Sequence, residues 1–452
     1  MTDQIVPDRA QVAAGPAAAG PAATSRGVMA NPDFAKLWAG ETVSRIGSQV
    51  TQFAMPLVAV LSLNATVFEV GVLNALRFVP VIFVSLFAGV WLDGRRRRPV
   101  LICCSLANAL AIGLVPLSAA LGFLSIGLLC AVALLVGTLT VVFDVGALSY
   151  VPFLVRRQDL PSANSKIQAS NAFAGIAGPG IAGLLIGLVT APVTLSADAV
   201  SYLFSAAGLI SIRRPEPAPD PAAVRPSAWE SIAEGFRAVY GTPLLRALLT
   251  QSAMLNVGFG AISTVFTVYG LRVLHLSPLR LGVAVGALAA GALAGSLGAS
   301  RVQDLLGFGR TLAVAILGVC LSPLLLLIPS GGSGLAMVAL IAGWLGHGCG
   351  ISIWNVNTIT MRQALTPMHV LARMNATYRM VLFGALPVGA MIGGLLGSFF
   401  GLRHAMVISA LVLTTPILWI LFSPVFRLTQ MPQGPLSAPA PECLPDDGDG
   451  ES

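Results

Sequence analysis

The sequence predicts an all-α integral membrane protein of twelve transmembrane helices, grouped six and six. Three observations carry that expectation: an apolar composition with scarce charge, arginines sorted onto alternate loops, and one long polar gap near the middle. Of 452 residues, 56% are hydrophobic and 10% charged. A soluble domain carries about 25% charged residues and roughly half apolar ones. So large an apolar excess facing water would aggregate. Lipid is the solvent that fits, because about 20 consecutive apolar residues let a helix cross about 30 Å of hydrocarbon.

Splitting the apolar runs at polar or Pro/Gly breaks gives spans at 36–63, 69–92, 99–122, 124–154, 163–189, 193–212, 243–270, 278–302, 309–329, 334–361, 368–400 and 402–424. Runs beyond 25 residues imply tilt, or ends that protrude from the bilayer. Residues 1–35 are rich in Ala, Pro and Gly and hold no hydrophobic signal-peptide core, so they read as a disordered tail. Residues 426–452 read the same way and end acidic, as PDDGDGES.

The formal charge of +7 is arginine almost alone, since Lys36 and Lys166 are the only lysines. With the N-terminus inside, 21 of the 26 basic residues fall on inner tails, loops and span ends, against Arg272, Arg280 and Arg403 outside. Arginine on one side of the bilayer fixes orientation, so both termini are expected in the cytoplasm. The basicity sits in short loops between apolar runs, which excludes a nucleic-acid surface. The Arg, Ala and Gly bias points to a bacterial plasma membrane.

The gap at 213–242 divides the chain into bundles at 36–212 and 243–425. It opens Pro-rich, then carries Trp229, Ile232, Phe236, Val239 and Tyr240 at helical spacing. That pattern predicts a short amphipathic helix lying on the inner membrane face. The halves also echo each other. GLLIG (183–187) recurs as GGLLG (393–397), 210 residues later and at the equivalent place in its half. Two parallel repeats are one known transporter plan.

The six-plus-six plan and GVWLDGRRRRPVL, residues 89–101, resemble the major facilitator superfamily and its loop between the second and third helices. Gly89, Asp93 and Arg95, Arg96, Arg97 and Arg98 match that loop in kind. Gly94 stands where an arginine is usual, and an arginine replaces the usual glycine. FAKLWAGETVSRIGSQVTQFAMPLVAV and VVFDVGALSYVPFLVRRQDLPSANS resemble the bacterial branch that includes enterobactin-exporter and macrolide-efflux-like proteins. The resemblance implies the major facilitator fold. It also implies a latch at Asp93 that holds the halves together on the inner side.

Four stretches are candidates for function. Gly175, Gly178, Pro179 and Gly183 resemble the antiporter motif of exporters, which implies a hinge; ordinary small-residue helix packing is the alternative. In the first span Glu41 and Arg45 stand four residues apart, sharing a face with Ser48, Gln49 and Gln52. That spacing suits an intrahelical pair, and the acid is a candidate proton carrier. Asp144 and Arg77 are lone charges inside spans, which are costly and generally face the bundle interior; with Arg45 they join Glu41 as proton-coupling candidates, Arg77 being expected to pair with an acid across the bundle, while Asp198 reads as interfacial. In the second half Gln251, Asn256, Trp354 and Asn355 are polar candidates for lining a cavity, or for helix–helix hydrogen bonds. Acids are scarce in those spans, so proton coupling is expected in the first half.

No P-loop is present, because neither lysine follows the required glycine. The histidines are dispersed and no CxxC occurs, so neither a metal nor a cofactor is implied. These features predict a secondary active efflux transporter, a proton antiporter acting as a monomer, exporting a small hydrophobic drug, antibiotic or siderophore-like metabolite. An importer or facilitator of the same fold, and a membrane scaffold or sensor, are the alternatives. No constellation points to an enzyme.

Overall fold

The computed structural model describes residues 28–93, 95–216, 228–328 and 334–422. The expected tails lie outside these residues except at 28–35, as does the Pro-rich start of the linker beyond Glu216. All regular structure among the described residues is helical: α1 (Pro32–Ser62), α2 (Val67–Asp93), α3 (Arg97–Ala120), α4 (Ile126–Leu154), α5 (Leu160–Leu188), α6 (Ala191–Ile210), α7 (Ala228–Gly241), α8 (Pro243–Arg272), α9 (Pro278–Leu306), α10 (Phe308–Leu321), α11 (Gly334–Leu365) and α12 (Met368–Phe422).

Ten of these stretches are long and apolar enough to cross a membrane. Two features explain why ten helices answer to twelve expected spans. Helix α1 has 31 residues, but Arg45, Gln49 and Gln52 dilute its hydropathy. Helix α12 has 55 residues, or about 80 Å at 1.5 Å per residue, more than twice the hydrocarbon thickness. It breaks at Gly401, whose φ of 77° lies in the region that only glycine adopts readily. Two arms, before and after Gly401, result. Helix α10 is short because Pro323 lacks the N–H that would continue it; a 3₁₀ turn, Ser322–Leu327, carries the chain on.

Local sequence sets the helix starts. Asn31 accepts from the Asp33 and Phe34 backbone N–H groups, with Pro32 in the first turn, so α1 begins four residues before the apolar run. Ser125, Thr190 and Ser277 cap α4, α6 and α9 through their hydroxyls.

Helices α1–α6 form one bundle and α8–α12 another. They meet along two seams, α5 against α9 and α2 against the first arm of α12. Both seams are lined by glycine, which lets backbones touch. We call the ends that carry most of the arginines inner. Near the outer ends, a methyl group on Gly183 would overlap the Pro278 carbonyl and sit 2.7 Å from the Leu279 Cα. One on Gly71 would sit 2.7 Å from the Ala390 carbonyl oxygen. The internal repeat lands on equivalent places: Gly183 meets the first turn of α9, while Gly394 and Gly397 meet Val67 and Phe68 at the start of α2.

The linker helix α7 packs on the first arm of α12. Val239 is fully buried with Leu245, Met374 and Tyr378. Glu234 pairs with Arg373, and Gly235 lies against the Arg373 backbone. The preceding linker is strapped to the other bundle. Asp33 accepts from the Arg213 and Arg214 backbone N–H groups at 3.2 Å each. Glu216 accepts from the Arg97 and Arg98 N–H groups at 2.7 and 3.0 Å, capping α3.

Candidate transport pathway

The arginine loop divides its work among residues. Arg98 donates to the Leu209 and Ile210 carbonyls at 2.9 and 2.8 Å, closing the end of α6. Arg95 lies 4.0 Å from the Trp91 ring. Gly89 and Asp93 lie on the last turns of α2; the Asp93 side chain, on which a latch would depend, lies outside the described residues, as does Gly94.

Between the bundles lies a central cavity of about 230 Å³. Helix α1 gives it Gln49, Gln52 and Phe53, and α2 gives Asn74 and Arg77. The facing wall is Phe259, Thr264 and Trp344 from α8 and α11. Asn74 donates to Thr264 across the bundles at 3.2 Å. A second cavity, of about 420 Å³, lies toward the inner half of the second bundle and is lined by Ser252, Asn256, His347, Trp354, Asn355 and Phe383 among others. Phe259, Leu288 and Ala289 line both.

A third pocket lies inside the first bundle and is lined mainly by residues that carry polar groups. Glu41, Ser44, Arg45, Ser48, Asn108, Asp144 and Tyr202 surround about 20 Å³. That space admits a water molecule, not an organic cargo. Helix α1 therefore presents one face to this pocket and another to the central cavity.

The ionisable groups are not paired as their spacing implied. Arg45 donates to Asp144 at 2.6 Å, across to α4, rather than to Glu41 one turn away. Glu41 is 7% exposed and its Oε1 has no hydrogen-bond partner. Ser48 and Tyr202 share a hydrogen bond of 3.0 Å. Asp198, expected at an interface, is instead fully buried and accepts from Thr51 at 2.5 Å and Ser201 at 2.9 Å. Arg77, expected to seek an acid, donates to the Gln52 carbonyl at 3.1 Å and has no ion pair among the described residues.

The glycine–proline stretch lies on the seam. Gly175 faces Ala289, Gly178 packs on Gln49, and the Pro179 carbonyl abuts Gly282 of α9. Of the amides, Asn256 and Asn355 line the inner cavity with Trp354, whereas Gln251 lines neither cavity and is fully buried with both amide atoms unpartnered. Sequence reasoning missed Asn74, Asn108 and Tyr202. A lone amide or phenol in an apolar run was the available signal. It overlooked the aromatic wall, because Phe259 and Trp344 read as ordinary apolar residues.

Two helical bundles meeting around a shared cavity are an architecture that membrane transporters use. The family model described as transmembrane secretion effector matches residues 23–443. The chain belongs to that family, within the major facilitator superfamily, whose members are membrane transporters and not enzymes. It is 28% identical over 412 residues to the multidrug efflux pump Tap of Mycolicibacterium fortuitum, covering 87% of this chain and 94% of that protein. It is 26% identical over 258 residues to the enterobactin exporter EntS of Escherichia coli O1:K1 / APEC, covering 56% and 58% of the two. Among solved structures, a mutant form of the nucleoside transporter NupG superposes with a TM-score of 0.71 at 12% identity, covering 86% of this chain and 99% of that one. A bacterial homologue of the iron transporter ferroportin in its inward-facing state gives 0.68 at 15%, covering 86% and 98%.

Proposed function

We propose that this chain exports a small, largely hydrophobic compound across a bacterial plasma membrane in exchange for protons. It would work as a monomer of twelve spans with both termini in the cytoplasm. The observation that carries the reading is the arrangement on α1. A buried carboxyl, Glu41, stands beside the Arg45–Asp144 pair in a pocket too small for cargo, while Gln49 and Gln52 of the same helix line the central cavity. A proton taken by Glu41 or Asp144 removes negative charge beside Arg45. Arg45 then holds α1 and α4 together less tightly, and the shift reaches the cavity wall through the helix. Arg45 sets which acid takes the proton.

Alternating access follows from rocking of the two bundles about this cavity. Cargo enters from the inner side and leaves outward; protonation from outside releases it, and deprotonation inside resets the cycle. Gly175, Gly178, Pro179 and Gly183 form the hinge and closing surface of this motion, and Asp93 with the neighbouring arginines latches the inner side. The efflux pumps among the relatives support the outward direction.

The test is efflux of the hydrophobic dye N-phenyl-1-naphthylamine from cells expressing wild type, Glu41→Gln or Asp144→Asn. Export should be lost in at least one variant, at wild-type membrane levels, and stop in wild type when the proton gradient is collapsed. Efflux that survives gradient collapse would remove proton antiport from the reading.

A further inference from the structure

The central cavity is electrostatically one-sided. Its lining contains one charged residue, Arg77, and no acid. Arg77 lies on α2 ten residues from the helix start, about 15 Å along the axis and so near the middle of the bilayer. A guanidinium has five N–H donors in a planar fork suited to carboxylate, phosphate or sulfonate groups. Here it donates to a single backbone carbonyl, that of Gln52. Among the described residues no carboxylate forms an ion pair with it. Asp198, an acid of the same bundle within electrostatic reach of Arg77, gives its two oxygens to Thr51 and Ser201 and not to the guanidinium. A cation at this depth with no carboxylate in contact is costly, and such a cost is retained where the charge has a use.

The wall facing Arg77 is aromatic and hydroxylic. Phe259, Phe266, Trp344 and Thr264 supply it. The cavity leads past Phe259, Leu288 and Ala289 into the larger inner cavity, whose lining carries no acid, lysine or arginine. The space therefore has a charged end and an apolar, aromatic extension. A cationic cargo would meet Arg77 with no acid in the cavity lining to offset it. A purely apolar one would give the guanidinium donors no acceptor, which is costly once water is displaced.

We propose that the cargo is an amphiphilic organic anion, with its acidic group on the Arg77 guanidinium and its aromatic body against Phe259 and Trp344. This rests on the export reading and names its cargo class. Arg77 is then a substrate-binding residue and takes no part in proton transfer.

The experiment uses a matched pair of probes, 1-anilinonaphthalene-8-sulfonate and N-phenyl-1-naphthylamine, which share an aromatic body and differ by the sulfonate. Ethidium serves as the cation. Binding to the full chain in nanodiscs is read by energy transfer from tryptophan, with empty nanodiscs subtracted. Wild type should bind the sulfonate about tenfold more tightly than the neutral amine, a typical value for one charge-assisted hydrogen bond. Arg77→Gln should bring that ratio to about one with amine affinity unchanged, and Arg77→Lys should keep most of it. The proposal is overturned if the ratio survives in Arg77→Gln. It is equally overturned if wild type, which needs no variant to be folded, binds the amine or ethidium as well as the sulfonate. If the sulfonate binds through Arg77 yet wild-type proteoliposomes move neither probe, the export reading fails and the anion site stands.

Discussion

Arg45 shows how far a one-dimensional spacing reaches. Glu41 and Arg45 are one turn apart, yet the guanidinium crosses to Asp144 on α4 at 2.6 Å. Each charge was legible because charge in an apolar span is costly. Their pairing was not, because it depends on which helix packs against α1. The same reason hid the burial of Asp198 and the solitude of Arg77. The energetics separate the three members. The side chains of Arg45 and Asp144 are 32% and 43% exposed, so their pair is weakened by solvent, and Asp144→Asn should cost less than about 1 kcal/mol. Arg45→Met leaves two acids around an apolar stem and should cost about 1–3 kcal/mol. Glu41→Gln removes a poorly partnered buried acid and should be neutral or stabilising. Thermal unfolding of the three variants in one detergent checks the order; an Asp144→Asn variant less stable than Arg45→Met would reverse it.

At the scale of elements, the helices were more legible than their partners. Apolar runs located α1 to α6, and the Gly401 break between the last two spans was readable because glycine interrupts the run there. The amphipathic spacing of α7 was equally readable, but an apolar stripe is satisfied by lipid or by protein alike. Two features seat the helix on α12: Gly235 has no side chain, so the helix can sit on the Arg373 backbone, and Glu234 can reach Arg373. Gly235→Val should therefore undock α7 while leaving the spans in place. Hydrogen exchange over 228–241 should quicken at least tenfold, with α8–α12 unchanged outside the contact. Glu234→Gln should act in the same direction but more weakly, since the ion pair is about one-third exposed and such pairs contribute little. A Gly235→Val helix as protected as wild type would mean that lipid, not α12, holds it.

For the whole molecule the question is what keeps the outer halves together. Three kinds of contact do so among the described residues. Glycines let α5 meet α9 and α2 meet α12 at backbone distance. Asn74 bonds Thr264 across the gap. Arg272, at the outer end of α8, donates to the Ala65 carbonyl between α1 and α2 at 2.9 Å. The last is a single part-buried bond and contributes little alone. The glycine seam is different in kind, because packed interfaces are bistable rather than continuously deformable. A side chain at position 183 finds the Pro278 carbonyl and the Leu279 Cα already in its place. Gly183→Leu should therefore act as a wedge that disfavours the closed arrangement of the outer ends. The measurement is labelling of Ser263→Cys, a cavity position, by a membrane-impermeant maleimide in a cysteine-free background. Labelling from outside should rise several-fold over the unwedged protein, and net transport should fall, since the cycle cannot close at that end. Arg272→Ala should raise labelling only slightly. If Gly183→Leu abolished transport with labelling unchanged, the glycine would be serving packing within the bundle pair and not the closing of the outer ends. If Arg272→Ala opened the cavity as fully as the wedge, that single bond and not the seam would be the element that holds it shut.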